Sequence, residues 1–111
     1  MSLRRGDLVT VAAKGPYTGK PRPALVIQAS ETLPYRDSVT VCLLTTDLID
    51  APLFRVRIEP AAGNALARAS DVMADKVLTV PREVLSAKPF GRLGAADLDR
   101  VDAALRFWLG L

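Results

Sequence analysis

Arg22 stands between Pro21 and Pro23 in the segment GKPRPALVIQA, residues Gly19–Ala29. Pro21 fixes its own φ and Pro23 bars its predecessor from the helical region, so Arg22 is held extended with its Cβ direction largely set. A planar guanidinium delivered in this way carries five donors in a fixed fork, which suits a phosphate. It suits equally well a carboxylate that pins the loop, and spacing does not choose between the two. Thr45 and Thr46 close the apolar run VCLLTTD. Two hydroxyls where a strand gives way to a loop are placed for a ligand. As β-branched residues they are also ordinary strand formers, with Asp47 opening a turn. Asp75 and Lys76, in MADKV, put opposite charges at a strand corner, a place where most such pairs are surface turn residues. Arg55 and Arg57 alternate with apolar neighbours. They can track a phosphate backbone, or serve as edge charges that discourage sheet pairing.

The residues that are missing narrow the chemistry further. The chain has no histidine. That excludes Ser-His-Asp and Cys-His nucleophile pairs, the usual zinc sites and a histidine acid–base pair. Cys42, the single cysteine, lies in the apolar run VTVCLLT and reads as a small buried residue, with no disulfide possible within the chain. No phosphate-binding glycine loop, metal-spaced cluster or paired-carboxylate motif occurs.

These side chains need a frame. The 111 residues are half apolar, enough for one domain with a real core. No apolar run reaches the roughly 18–20 residues of a membrane span. The start, MSLRRGD, has no apolar segment of signal-peptide type behind it, so a cytoplasmic protein with no membrane association is expected. Asp7–Ala12, Pro23–Ala29 and Ser38–Thr46 read as strands, the second apolar enough to be central. Leu53–Pro60 has period two, with Phe54, Val56 and Ile58 opposite Arg55 and Arg57. Ser70–Pro81 reads as two short strands meeting near Ala74–Lys76, and Arg82–Lys88 as a short helical turn. Ala13–Pro21 and Ser30–Asp37 read as loops. Ala95–Leu109 is the clearest helix, with Leu98, Val101, Leu105 and Trp108 at spacings of three and four. Asp97 suits its first turn and Gly110 its stop. Closely spaced strands with turn signals predict a small, bent antiparallel sheet or barrel with the helix packed on it.

The net charge is +3, unevenly spread. Arg4, Arg5, Lys14, Lys20 and Arg22 face Asp7 alone in the first thirty residues, whereas Asp97, Asp99 and Asp102 offset Arg100 and Arg106 in the last helix. A basic N-terminal half predicts a polyanion or an acidic partner on one face.

Five blocks, RRGDLVTVA, GKPRPALVIQA, VTVCLLTT, SDVMADKVLTVPREVL and GRLGAADLDRVDAALRFWLGL, together resemble the MazF/PemK family of toxin endoribonucleases, in order and over essentially the whole chain. The resemblance implies a mainly β fold: a small SH3-like β-barrel of the CcdB/MazF type with a C-terminal α-helix, as a single domain over residues 1–111. It implies a homodimer that cleaves single-stranded RNA without metal or other cofactor. The products would be a 2′,3′-cyclic phosphate and a 5′-hydroxyl, and a cognate antitoxin would inhibit the reaction. Arg22 matches the family's catalytic arginine and Thr45 its catalytic threonine. Asp75 and Lys76 fall in the block that contacts RNA in relatives, and that block carries a catalytic aspartate in the PemK branch. Tyr17, Lys20, Thr46 and Arg55 join them as RNA-binding candidates. Met73 stands where the PemK branch has an arginine, and the first loop lacks an acidic or histidine side chain before Arg22. The arginine–threonine scheme therefore carries over rather than the PemK acid–base scheme. An arginine stays protonated at neutral pH, so its role is charge stabilisation more than proton abstraction. With six aromatic residues, stacking on many bases is not expected, which favours a short recognition sequence. A rival function on the same fold is a CcdB-like gyrase poison or a non-catalytic partner-binding barrel, contacting its target through Trp108 in the tail RFWLGL. Such a protein has no need of a braced arginine.

Overall fold

A single antiparallel sheet carries the molecule, seen in a computed structural model that describes residues 2–12 and 21–111. The strands are β1 (Asp7–Val11), β2 (Arg22–Val26), β3 (Ser38–Thr45), β4 (Arg55–Ile58), β5 (Ser70–Pro81) and β6 (Gly91–Arg92), followed by helix α1 (Ala95–Leu109). Their order across the sheet is β4-β5-β3-β2-β1-β6. Tyr17 and Lys20 lie outside the described residues.

β2 is central, as its unbroken apolar run requires, with Ala24, Leu25 and Val26 each at 0% exposure. The sheet curls and is covered on both faces. One face holds Leu8, Leu25, Cys42, Leu44, Ile58 and Val72 against Val101, Ala104 and Leu105 of α1. The other gathers Val9, Ala24, Val26, Val39, Val41 and Val80 under Leu33. Leu33 comes from a 3₁₀ helix over Ser30–Tyr35, a segment read from sequence as plain loop. Each fully buried leucine contributes about 1.5–3 kcal/mol relative to exposure.

Pro23 lies within β2, opposite Thr10. Thr10 directs both backbone groups away from it: its N–H donates to Ser86 Oγ at 3.1 Å and its carbonyl accepts the Ser86 N–H at 2.9 Å. The proline therefore removes no ladder bond to β1.

Ser70–Pro81 differs from the sequence expectation of two strands. It is one strand with an irregularity, because it pairs on two sides. Ser70–Met73 pair with β4, and the Ala74 N–H still reaches the Phe54 carbonyl at 3.0 Å. Along β3, Cys42 faces Val77 but Leu44 faces Val72, so Leu43 alone stands opposite Met73–Lys76. Pairing on either side of them, Ser70–Met73 with β4 and Val77–Pro81 with β3, keeps the weak β-formers Ala74, Asp75 and Lys76 in the strand as a bulge. The sixth strand is instead Gly91–Arg92, too short to carry a period, fixed by pairing with Asp7 and Leu8. Arg82–Val84 makes the expected short helical turn as 3₁₀ helix.

α1 buries Val101 at 0%, Ala104 at 4% and Leu105 at 8%, on the stripe read from sequence. It ends on Gly110 with φ 74°, where the Leu111 N–H reaches Arg106 O and the Gly110 N–H reaches Phe107 O. This is a Schellman stop, which needs a left-handed residue. Arg5 ties the helix to the sheet: Nη2 donates to Asp102 Oδ1 at 2.6 Å and Nε to the Ile27 carbonyl at 2.8 Å. That basic residue is therefore part of the frame.

Candidate active site

The register of β2 against β3 decides where Arg22 points. Ala24 faces Leu43. Continued outward by two residues, the same register sets Arg22 opposite Thr45, the last residue of β3. Directly opposed residues of an antiparallel pair share a face, with Cβ atoms about 4.5–5.5 Å apart. Thr45 in turn faces Asp71 on β5, and Asp71 faces Arg57 on β4. Arg22, Thr45, Asp71 and Arg57 thus form one row across four neighbouring strands.

Their surroundings differ. Arg22 is exposed, and among the described residues it enters no ion pair. The half-buried Thr45 accepts the Asp47 N–H at Oγ1, 3.0 Å away. A hydroxyl that accepts in this way keeps its own proton to donate. Thr46 is exposed in the following turn.

The Asp71 side chain is buried, at 1% exposure. Its Oδ1 accepts from Arg57 Nε at 2.5 Å, and its Oδ2 from Arg55 Nη1 at 3.2 Å and the Ile49 N–H at 3.1 Å. Burial alone would raise its pKa. The hydrogen bonds from Arg57, Ile49 and Arg55, with the Arg57 charge, outweigh burial and hold the carboxyl below its ordinary value. Arg55, expected to contact RNA, has its guanidinium turned onto Asp71 and the Asp47 carbonyl, with a side chain 13% exposed. Asp71 escaped the sequence reading. The signal available was an aspartate, a poor strand former, near the start of the strand segment SDVMADKVLTVP, with two arginines on the strand before it.

Asp75 and Lys76 lie at the β5 bulge, beside Leu43 and one step along from Thr45. Lys76 is exposed. Asp75 is half-buried, with Oδ1 enclosed and without a hydrogen-bond partner among the described residues. Met73 is buried at 8% and packs as core. Cys42 is at 0% exposure, and burial pushes its thiol up to about 12, with the Asp75 charge adding to the rise and Arg5 opposing it. A neutral, enclosed thiol is no nucleophile. Trp108 is 48% exposed and tilts against Phe54, ring centroids 5.4 Å apart.

A cleft of about 430 Å³ opens between α1 and the β3–β4 loop, walled by Leu53, Arg57, Arg100 and Phe107. Neither Arg22 nor Thr45 lines it. The Asp71 and Arg57 end of the row lines this cleft, and the Arg22 and Thr45 end lies beyond it. Among the described residues, no three acidic or cysteine side chains converge as a metal site needs. No helix among them is long and apolar enough to cross a membrane.

Residues 4–109 match the model of the family described as PemK-like, MazF-like toxin of type II toxin-antitoxin system. The chain is 50% identical over 109 residues, 98% of each chain, to a protein from Mycolicibacterium smegmatis named "Probable endoribonuclease MazF". In fold it resembles the crystal structure of MazE-MazF from Deinococcus radiodurans, with TM-score 0.82 at 23% identity, over 100% of this chain and 99% of that one. It likewise resembles an endoribonuclease solved in complex with its cognate antitoxin from a mycobacterial species, with TM-score 0.79 at 21% identity, over 99% and 97% of the two chains.

Proposed function

This chain belongs to the PemK-like, MazF-like toxin family of type II toxin–antitoxin systems and is an endoribonuclease of that kind; from that premise we propose that it cuts single-stranded RNA at the surface where Arg22 and Thr45 meet. What supports this reading is the β2–β3 register, which, continued two residues past its last pair, Ala24 with Leu43, brings an exposed arginine braced by two prolines toward a strand-end hydroxyl.

The chemistry follows from what these groups can do. A ribose 2′-hydroxyl gives its proton to solvent water and its oxygen attacks the adjacent phosphorus, while the bond to the 5′-oxygen breaks and that oxygen takes a proton from solvent. The products are a 2′,3′-cyclic phosphate and a 5′-hydroxyl. Negative charge builds on the phosphorane oxygens, and a guanidinium already held in place stabilises it without reorganising. Arg22 remains protonated throughout. Thr45, keeping its proton, donates a hydrogen bond to a phosphate oxygen or to the departing oxygen. Thr46, Asp75 and Lys76, with Tyr17 and Lys20 from the preceding loop, are the proposed RNA contacts. Arg55 leaves that set because its guanidinium is engaged by Asp71 and Asp47. Single strands fit the mechanism, since the 2′-hydroxyl must be free to swing in line.

Within the same proposal the chain is one toxin domain over residues 1–111 and works as a cytoplasmic homodimer. It recognises a short sequence, needs no metal or other cofactor, and is held inactive by a cognate antitoxin. Purified protein incubated with RNA in excess EDTA, followed by mapping of the ends, tests the chemistry. Cuts bearing 5′-hydroxyl ends support it, and cutting that EDTA abolishes refutes the metal-free route. Folded Arg22→Ala is expected to lose at least about 10²-fold in rate. Parental cutting by that variant would place the site elsewhere.

A further inference from the structure

We propose that the buried Asp71 carboxylate is a positioning group for Thr45, acting through Arg55 and the turn that follows β3. The inference rests on the reading of Thr45 as a group that meets the phosphate.

The connections form a closed circuit. Asp71 stands directly across the ladder from Thr45. Its Oδ2 accepts from the Ile49 N–H and from Arg55 Nη1. The same Arg55 Nη1 donates to the Asp47 carbonyl at 3.2 Å. Arg57, held at Asp71 Oδ1, donates from Nη2 to the Ile49 carbonyl at 3.3 Å. Asp47 is thus fixed by its carbonyl, and Ile49 by both its backbone groups. From that fixed turn the Asp47 N–H reaches back to Thr45 Oγ1 at 3.0 Å.

Anchoring an exposed turn does not require an ion. Apolar contacts from Leu48, Ile49 or Leu53 would do it, yet these are 39%, 44% and 62% exposed. Enclosing a carboxylate is costly unless several donors meet it in good geometry. What such a cluster provides beyond adhesion is direction, since hydrogen bonds to a charged group fix angle as well as distance. Here the direction passes to one hydroxyl. With one lone pair held by the Asp47 N–H, the Thr45 oxygen is fixed in place and its proton stays free to be donated to a ligand. A threonine has few χ1 wells, so releasing that bond swings the hydroxyl into another well rather than blurring it. A displacement of about 1 Å at a reacting phosphate can cost on the order of 10²-fold in rate.

The test uses Arg55→Gln, Thr45→Val and the double variant in the full chain. Arg55→Gln leaves Asp71 paired with Arg57, so the fold is retained, and circular dichroism with a thermal melt checks this. Rates are read on a short single-stranded RNA. Arg55→Gln is expected to lower kcat by tenfold or more, with KM within twofold and an unchanged salt dependence. The double variant should cut no more slowly than Thr45→Val alone. The Asp47 amide should lose hydrogen-exchange protection in Arg55→Gln while Leu44 keeps its own. Effects that multiply in the double variant overturn the proposal. So does a loss confined to KM with a shallower salt slope, which would make Arg55 a direct phosphate contact. Parental kinetics for Arg55→Gln beside an inactive Thr45→Val also overturn it while sparing the Thr45 assignment. Parental cutting by Thr45→Val overturns that assignment, and this proposal with it.

Discussion

Thiol labelling of Cys42 measures how well the interface between sheet and helix is closed. The side chain is at 0% exposure in the cluster that joins Leu8, Leu25 and Leu44 to Ala104 and Leu105. Its pKa is raised from 9.0 to about 12. The thiolate is the reactive form. At pH 8 its fraction falls from about one in ten to about one in 10⁴, so ionisation alone slows alkylation by about 10³. Exclusion of the reagent slows it further, because labelling then waits for an opening of the core. Iodoacetamide followed by mass spectrometry should find the native chain unmodified over an hour and the guanidinium-unfolded chain fully modified within minutes. Cleavage of RNA should survive the native treatment. The raised pKa also carries a sign. The neutral thiol is the form the fold favours, so its contribution is complete below the unfolded pKa and is lost as pH rises through the window from 9.0 toward 12. The loss is about 1.4 kcal/mol per pH unit in that window, read as the difference in alkaline melting between the parent and Cys42→Ala. Native labelling within about tenfold of the unfolded rate, or equal alkaline slopes in the two proteins, refutes the closed core.

Two further outcomes test other parts of the frame. A Cβ at Gly91 would lie 2.4 Å from Asn64 O and 2.7 Å from Asn64 C, backbone atoms of a turn that Asn64 itself holds with bonds to Glu59, Ala61 and Leu66. Gly91→Ala should therefore cost about 1–3 kcal/mol and lower Tm by about 4–8 °C per kcal/mol, with cutting retained below the melt; an unchanged Tm refutes the clash. Asp71, whose native pKa is depressed, contributes stability that is present above its unfolded value near 3.9 and lost as pH falls through the native one. The denaturant midpoint of the parent should fall, as pH drops below about 4, more steeply than that of Asp71→Asn, and parallel slopes count against the assigned ion cluster.

What could be read in the sequence is what short-range chemistry determines. Pro21 and Pro23 constrain Arg22 through covalent geometry. The spacing of Val101 and Leu105 marks the buried stripe of α1 through the helical period. The continuous apolar run of β2 shows a strand covered on both faces. Position along a ladder is different. β2 and β3 are joined through a 3₁₀ segment with no tight-turn signature, so the two apolar runs can pair in several registers on pattern alone. Only the folded sheet sets Arg22 across from Thr45. The single β5 strand escaped for a related reason: Ala74, Asp75 and Lys76 are weak strand formers, and what keeps them in the strand is the pairing of the residues before and after them. Asp71 escaped because its partners, Arg55 and Arg57, are fixed by that same non-local register.

The row across the sheet also shows why a net charge of +3 says little about where a polyanion binds. Arg22, Arg55 and Arg57 lie on or beside one row, and by count they would form a single basic patch. Asp71 divides them. It takes hydrogen bonds from Arg55 Nη1 and Arg57 Nε, so one of the two positive charges is offset and part of each fork is occupied. Arg22, two strands away from Asp71 across Thr45, has no counter-anion among the described residues. A phosphate approaching the sheet therefore meets, at one end of the row, a guanidinium with no ion-pair partner among the described residues and, at the other, two arginines that share one carboxylate. The hydroxyl between Arg22 and Asp71 is the one that Asp71 holds through the turn.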